Sequence, residues 1–320
     1  ATGTRTVRGM EALTLSVPPT PGRSILKRPH DELLFTIGTP FKNRDYDRSF
    51  LYGGNGFFDN MDYFFEQNGF RVVDKPTIDA EKITFENAWG ACDEDLLSWS
   101  LDEADRCFAA QKPFYQFVMT TSNHRPYTYP EGKVTIPSGT GREGAVQYTD
   151  YAIGDFIRKA SKKPWFKNTL FVIVADHCAG SARKQELPVR KYEIPLIIYG
   201  PDLVTPEVVE TLCSQIDFGP TLFGLLGWSY ESKFYGKDIF KMEGGKGRAL
   251  IGNYQKLGLL RDHQLSIIKP MRQLSVYQCD RGTGALTPEA ETPEAKSEIL
   301  AYYQTASHLF NAGELADFKR

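Results

Sequence analysis

The sequence of 320 residues is long enough for one large α/β domain, or for one domain with a small appendage. Hydrophobic residues make up 41% of the chain and charged residues 24%, which is ordinary for a globular protein. The formal net charge of −2 excludes a general electrostatic attraction to nucleic acid, so no nucleic-acid partner is expected.

The five cysteines form neither a CxxC pair nor a zinc-binding spacing, so cysteine usage does not identify a compartment. No apolar run approaches the roughly 20 residues needed to cross a bilayer, and no signal peptide is recognisable. The chain opens on Ala1-Thr-Gly-Thr-Arg-Thr, a stretch typical of a domain interior. We therefore expect a fragment whose N-terminal portion was removed.

Helix and strand patterns alternate along most of the chain. The predicted elements are, in chain order, a helix over 8–16, a strand over 49–52, helices over 59–68 and 93–110, a strand over 114–119, a helix over 148–160, strands over 169–175 and 194–199, and a helix over 218–226. The continuous apolar runs 114–119 and 169–175 are typical of strands buried on both faces. The alternation predicts an α/β fold with a mostly parallel sheet and helices on both of its faces.

The pattern changes after about residue 245. Residues 250–279 form short, half-polar stretches that predict an antiparallel hairpin region. The Pro- and Glu-containing segment 281–294 predicts a surface loop, and 295–312 a closing helix. We therefore expect a catalytic core over 1–245 and a C-terminal subdomain, with a small antiparallel sheet and the closing helix, over 246–320.

Polar residues follow the ends of two predicted strands. Asp176 and His177 come directly after the strand 169–175, and the loop 120–124 follows the strand 114–119. In open parallel sheets, binding sites gather beyond the carboxyl ends of the strands. An adjacent carboxylate and imidazole suit Zn²⁺ or Mn²⁺. A structural interpretation, in which Asp176 caps a helix and His177 binds nothing, fits the residues alone equally well.

The segment Gly3-Thr4-Arg5-Thr6 leads into the first predicted helix. At a helix N-terminus, backbone N–H groups and the helix dipole favour anionic oxygens. A threonine hydroxyl bound to a metal there can act as a nucleophile towards phosphorus. Threonine is also a common helix cap, and the residues alone favour that simpler interpretation.

His124 lies in a Ser-Asn-His-Arg-Pro-Tyr loop. Its imidazole could donate a hydrogen bond to a phosphoryl oxygen or protonate a leaving alkoxide. Arg142, Arg183 and Lys184 lie in nearby segments and could meet an anionic substrate, although surface cations are common.

Together these segments resemble the alkaline phosphatase/sulfatase superfamily, and within it the lipoteichoic acid synthase-like phosphoglycerol transferases. The resemblance covers about residues 1–240. Each motif alone is weak, and their order and spacing carry the resemblance. The motifs are Gly3-Thr-Arg-Thr-Val-Arg-Gly-Met-Glu-Ala12, Tyr52-Gly-Gly54, Phe58-Asp-Asn-Met61, Trp89-Gly90 with Asp93-Glu-Asp95, Thr121-Ser-Asn-His-Arg-Pro126, Tyr148-Thr-Asp-Tyr-Ala-Ile-Gly154, Phe171-Val-Ile-Val-Ala-Asp-His177, Ile194-Pro-Leu-Ile-Ile-Tyr-Gly-Pro201 and Asp217-Phe-Gly-Pro-Thr-Leu222.

The resemblance implies an alkaline phosphatase-like fold and a role for each candidate residue. Thr6 would be the nucleophile and a metal ligand, and Asp176 and His177 would be further ligands of one divalent ion, Mn²⁺ before Mg²⁺ or Zn²⁺. His124 would contact the phosphoryl group of the substrate. Two more residues would contact the head group, Ser181 and Asn60, the second at a position that is an arginine in Gram-positive members.

The implied reaction moves phosphoglycerol from a phospholipid, such as phosphatidylglycerol, to a hydroxyl group of a glycan or polymer through a covalent threonine intermediate. The family context implies a periplasmic domain in the cell envelope, at the extracytoplasmic face of the inner membrane, held there by N-terminal membrane helices. The family also supplies a ligand glutamate upstream of the nucleophile, a position that would lie before Ala1. We therefore expect the isolated chain to bind metal poorly and to turn over slowly.

Three alternatives stay open. The first is a phosphoethanolamine transferase, although such relatives tend to carry several disulfides. The second is a sulfatase-like phosphodiesterase or hydrolase that uses water as acceptor; the C/S-x-P-x-R motif of formylglycine sulfatases is absent from the sequence. The third is a degenerate domain that binds a head group or a glycan.

Overall fold

A computed structural model describes residues 1–180, 186–242 and 246–318. The helices are, in chain order, α1 (Thr6–Leu15), α2 (Gly38–Lys42), α3 (Met61–Gln67), α4 (Asp93–Ala109), α5 (Arg142–Ala160), α6 (Phe218–Leu225) and α7 (Pro293–Asn311). The strands are β1 (Asp47–Tyr52), β2 (Arg71–Asp74), β3 (Glu86–Asn87), β4 (Gly90–Ala91), β5 (Phe114–Met119), β6 (Phe171–Val174), β7 (Leu196–Tyr199), β8 (Arg248–Gly252), β9 (Leu257–Arg261), β10 (Gln264–Lys269), β11 (Gln273–Cys279) and β12 (Leu286–Glu289).

The chain divides into two compact units. Unit 1 contains Ala1–Ile37, Phe171–Tyr199 and Thr205–Arg320, and unit 2 contains Gly38–Leu170 and Gly200–Val204. The boundary expected near residue 245 stays a prediction. Within the described ranges, no helix combines the length and the apolar character that crossing a bilayer requires.

Unit 2 is built on a three-stranded parallel sheet in the order β2-β1-β5. The central strand β1 is buried because apolar side chains cover it, with Phe50 stacked on Phe65 at a ring distance of 3.9 Å. Tyr52 pairs with Met119 in the parallel register. The loops that follow β1 and β5 therefore leave the sheet at the same edge, and the second of them carries His124.

Unit 1 contains a five-stranded antiparallel sheet, β8 to β12 in the order of the chain, and the antiparallel pair β6-β7. Its core joins α1 and α7 to the sheet through buried apolar residues, which are Ala12, Ile216, Leu250, Leu259, Ile299 and Tyr303.

The start of α7 is fixed by its sequence. The hydroxyl of Thr292 accepts a hydrogen bond from the N–H of Ala295, and Pro293 occupies the first turn.

The α/β fold class is confirmed, and the helices and strands predicted before residue 245 are present. All but one lie within two residues of their expected bounds, and the exception is α5, which begins at Arg142, six residues before its expected start at 148. Two other details differ. β6 and β7 pair antiparallel, because an apolar run predicts burial and carries no information on strand direction. The predicted loop 281–294 contains β12, whose residues pair with β11 although they include Pro288.

A buried ion pair joins the residue that precedes α6 to β8 in unit 1. The Arg248 guanidinium donates to both carboxylate oxygens of Asp217 at 2.8–3.0 Å, and its Nε donates to the Tyr302 hydroxyl at 2.9 Å. Both charged side chains are at most 2% exposed. Removing one partner leaves the other charge buried without compensation, which is costly.

We expect Asp217→Ala to lower the free energy of unfolding by about 3–5 kcal/mol. Asp155→Ala is the matched control, since Asp155 pairs with the well-exposed Arg158 in unit 2, and a surface pair contributes about 1 kcal/mol or less. Urea denaturation of both variants measures the difference. If both variants lost the same free energy of unfolding, the expected cost of leaving a buried charge without its partner would be wrong.

Candidate functional site

Asp176 and His177 lie in unit 1, just beyond the end of β6. One carboxylate oxygen of Asp176, Oδ1, accepts a hydrogen bond from the His177 backbone N–H at 2.9 Å. The other, Oδ2, is 3.6 Å from His177 Nε2. His177 Nδ1 is 2.7 Å from the carbonyl oxygen of Cys178. Because a carbonyl only accepts, Nδ1 carries the proton of the neutral imidazole, and in that form Nε2 presents its lone pair beside Asp176 Oδ2.

This pair fits two ligands of one divalent cation. Bonds from zinc-type ions to nitrogen and oxygen are about 2.0–2.2 Å long, so a single ion can contact two atoms 3.6 Å apart. A hydrogen bond from the second ring nitrogen to a carbonyl is the usual support of a metal-bound imidazole. Among the described residues, no three His, Cys, Asp or Glu side chains form a metal-binding group. The pair therefore offers two ligands of these types.

Thr6 is the first residue of α1 and is partly buried. One turn further along the helix, a Cβ atom on Gly9 would lie 1.7 Å from the carbonyl oxygen of Asp176. Only glycine allows α1 to approach the end of β6 this closely. Residues three apart share a helix face, and they are about 4.5 Å apart along the axis. The structure therefore places Thr6 one turn from the contact between α1 and Asp176.

The side-chain amide of Gln215 connects the two segments of this site. Its Oε1 accepts from the Thr2 backbone N–H at 2.8 Å and from the Thr2 hydroxyl at 3.0 Å. Its Nε2 donates to the carbonyl oxygens of Ala175 and Asp176 at 2.9 and 2.8 Å. Gln215 is buried, and every hydrogen-bonding position of its amide is used. It therefore fixes the segment before α1 against the backbone of Asp176.

His124 lies in the loop after β5 of unit 2 and is exposed. Its Nδ1 is 3.1 Å from the carbonyl oxygen of Arg125, so Nδ1 is the protonated nitrogen and Nε2 has a free lone pair. The imidazole packs on the Trp89 ring at a centroid distance of 3.7 Å. Trp89 in turn contacts Phe58 edge to face, at 5.4 Å between ring centroids.

The buried carboxylate of Asp93 holds the first part of the His124 loop. Its Oδ1 accepts from the backbone N–H groups of Thr121 and Ser122 at 3.0 and 2.9 Å. Its Oδ2 accepts from the Thr149 hydroxyl at 2.8 Å. The position of His124 relative to β5 is therefore set by a hydrogen-bonded carboxylate rather than by the loop alone.

The structure brings some of the predicted site residues together. Asp176 and His177 are in contact, and Thr6 lies one helical turn from the residue of α1 that approaches the Asp176 backbone. Asn60 precedes α3 of unit 2 in a left-handed conformation with φ 65°, two residues after Phe58, which reaches Trp89 and through it His124. Ser181 lies outside the described residues. The roles assigned to all these residues stay predictions.

The sequence analysis missed Gln215, Trp89 and Asp93 as site residues. Trp89 and Asp93 belong to the motifs that carry the family resemblance, so the sequence did contain a pattern that could have identified them. Gln215 precedes the Asp217 motif by two residues, but its partner Thr2 is 213 positions away in the sequence.

The sequence model of the sulfatase family matches residues 1–228. The chain belongs to the sulfatase family. A crystal structure of an alkaline phosphatase superfamily protein from Vibrio parahaemolyticus is 33% identical, with a TM-score of 0.93, and the match covers 99% of this chain and 78% of that one. The lipoteichoic acid synthase LtaP from Listeria monocytogenes has a TM-score of 0.78 at 18% identity, covering 97% and 81% of the two chains, and shows the fold alone.

Two curated relatives agree with the resemblance found in the motifs, which is confirmed. Phosphoglycerol transferase I of Xanthomonas axonopodis pv. citri is 27% identical in an alignment of 206 positions that covers 59% of this chain. The lipoteichoic acid synthase-like YvgJ of Bacillus subtilis is 25% identical in an alignment of 221 positions that covers 62% of this chain. The matched regions span 28% and 35% of the two relatives' own lengths.

We expect Gly9→Ala to destabilise the protein by about 1–3 kcal/mol, because the added methyl group meets the Asp176 backbone, which cannot move independently. Gly154→Ala in α5 is the matched control. A Cβ there meets only the end of the Arg158 side chain at 3.6 Å, so this variant should gain up to about 1 kcal/mol from helix propensity. Urea denaturation compares the two. A neutral Gly9→Ala would contradict the close approach of α1.

Proposed function

We propose that this chain is the catalytic part of a metal-dependent phosphoglycerol transferase. It would take phosphoglycerol from a phospholipid such as phosphatidylglycerol and transfer it to a hydroxyl group of a glycan or polymer. The observation that carries the proposal is the Asp176–His177 pair, whose Oδ2 and Nε2 atoms are 3.6 Å apart in a segment whose backbone α1 approaches at Gly9. The names of the curated relatives support the transferred group.

The proposed first step is attack by the Thr6 hydroxyl oxygen on the phosphorus of the donor. The bond from phosphorus to the diacylglycerol oxygen breaks, and diacylglycerol leaves with a proton. Phosphoglycerol is then esterified to Thr6. Backbone N–H groups in the first turn of α1 favour the anionic phosphoryl oxygens. A divalent ion bound by Thr6, Asp176 and His177 would neutralise charge and lower the pKa of the threonine hydroxyl.

In the proposed second step an acceptor hydroxyl attacks the same phosphorus, and the bond to the Thr6 oxygen breaks. His124 would take the acceptor's proton at Nε2, whose lone pair is free because Nδ1 faces the Arg125 carbonyl. Trp89 and the loop held by Asp93 would fix the direction of the ring. The Thr6 oxygen that leaves phosphorus would take a proton from solvent, and His124 would return its proton to solvent, so both groups are restored for the next cycle.

The remaining parts of the proposal concern the ion, the head group and the location. A mixed set of hydroxyl, carboxylate and imidazole ligands suits Mn²⁺, and also accepts Mg²⁺ or Zn²⁺. Asn60 and Ser181 would contact the glycerol head group. Since the donor is a membrane lipid, the proposed location is the cell envelope, at the periplasmic, extracytoplasmic face of the inner membrane.

Replacement of Thr6 tests the proposal. We expect Thr6→Ala to reduce diacylglycerol release from fluorescent phosphatidylglycerol by a factor of about 10³ or more, as loss of a nucleophile does. Thr4→Ala, two residues earlier, is the matched control and should retain most of the activity. Mass spectrometry of rapidly quenched wild-type protein should locate phosphoglycerol on the peptide that contains Thr6. Wild-type transfer by Thr6→Ala would refute the proposed mechanism.

A further inference from the structure

The turn between β8 and β9 of unit 1 lies beside the start of α1. This turn consists of residues 253–256. The guanidinium carbon of Arg5 is 5.8 Å from the centre of the Tyr254 ring. Arg5 directly precedes Thr6, the first residue of α1. The Tyr254 ring is therefore one side-chain contact away from the residue next to the proposed nucleophile.

The fold leaves the aromatic ring of Tyr254 in solvent. Tyr254 is 78% exposed, whereas Tyr192, whose hydroxyl meets the same hairpin, is 3% exposed. Within the described ranges, the contact with Arg5 is the one ring contact of Tyr254. Covering an aromatic ring is favourable because it removes a large apolar area from water. An isolated ring of this kind therefore offers binding free energy to a ligand that covers it.

Hydrogen bonds hold the turn that carries this ring. The N–H of Asn253 donates to the carbonyl oxygen of Lys256 at 2.9 Å. Asn253 Oδ1 accepts from the backbone N–H groups of Gln255 and Lys256 at 3.0 and 2.9 Å. At the base of the hairpin, the Tyr192 hydroxyl donates to the carbonyl oxygen of Gly252 at 3.0 Å. Because the turn is already ordered, a ligand that binds there loses little free energy to ordering it.

The groups around the ring suit a sugar better than a lipid. Asn253 and Gln255 flank Tyr254 in the sequence, so the turn exposes one aromatic ring among polar side chains, whereas a segment that enters a membrane exposes several apolar ones. Among the described residues, the Gln255 amide and the Arg5 guanidinium form no hydrogen bond or ion pair. The negative face of an aromatic ring attracts the polarised C–H groups of a pyranose, and free amide and guanidinium donors match its hydroxyl groups.

We propose that Tyr254, Arg5 and Gln255 form a subsite for one pyranose ring of a neutral glycan. The sugar would stack on a face of the Tyr254 ring. Its hydroxyl groups would accept hydrogen bonds from the Arg5 guanidinium and exchange them with the Gln255 amide. The assignment of this glycan as the acceptor rests on the proposed function, because the subsite lies beside Thr6, whereas its binding does not.

Saturation-transfer NMR with a soluble hexasaccharide of β-linked glucose tests the subsite directly. The hydroxyl groups of this sugar are equatorial, so both faces of each ring present C–H groups. A chelator keeps a bound metal from contributing to the signal. We expect Tyr254→Ala to weaken binding about tenfold, as truncation of a central tyrosine does. Tyr254→Phe should bind like the wild type because the ring remains, and Arg5→Gln should weaken binding by a smaller factor.

Phe240→Ala is the matched control, since it also removes an exposed aromatic ring from unit 1. It should bind the hexasaccharide like the wild type, and thermal melting should show that all variants are folded. The inference is wrong if the wild type does not bind the sugar, if folded Tyr254→Ala binds like the wild type, or if Phe240→Ala weakens binding equally.

A kinetic comparison separates a glycan from a lipid at this position. Tyr254→Ala should raise KM for the glycan acceptor about tenfold and leave kcat and KM for phosphatidylglycerol in vesicles unchanged. A raised KM for phosphatidylglycerol with unchanged sugar binding would assign the ring to the lipid and overturn the inference. Failure of the Thr6 mechanism would leave the NMR result intact, so the two proposals can fail separately.

Discussion

The contact between α1 and the end of β6 is the constraint on which the candidate site depends. Gly9 has no side chain, and this absence lets the helix lie against the backbone of Asp176. Gln215 then holds the segment before the helix and the carbonyls of Ala175 and Asp176 with one amide. Close approach and hydrogen bonding together fix the start of α1 against the backbone of Asp176, one helical turn from Thr6.

In each unit, a contact with the backbone fixes a side chain that the proposed reaction uses. In unit 1 the Cys178 carbonyl orients His177 so that Nε2 faces Asp176. In unit 2 the Arg125 carbonyl leaves Nε2 of His124 free, and Asp93 fixes the loop that carries it. Preorganised groups of this kind lose little free energy to reorganisation during a reaction.

Much of this arrangement could be predicted from the sequence. The apolar run before Asp176 marks β6, and the Gly-Thr-Arg-Thr segment marks the start of α1, because both signals are local. The antiparallel pairing of β6 with β7 could not be predicted, since side-chain hydrophobicity does not encode strand direction. The role of Gln215 and the ion pair of Arg248 with Asp217 were also missed, because they join residues far apart in the chain.

We expect Thr6, Asp176 and His177 to bind one divalent ion together. Anomalous diffraction at the manganese edge, from a crystal of the protein grown with Mn²⁺, tests it most directly. We expect a manganese peak about 2.0–2.3 Å from the Thr6 hydroxyl oxygen, an Asp176 carboxylate oxygen and His177 Nε2, at partial occupancy if this chain binds the ion weakly. A manganese peak bound elsewhere, with none at these three atoms, would contradict it.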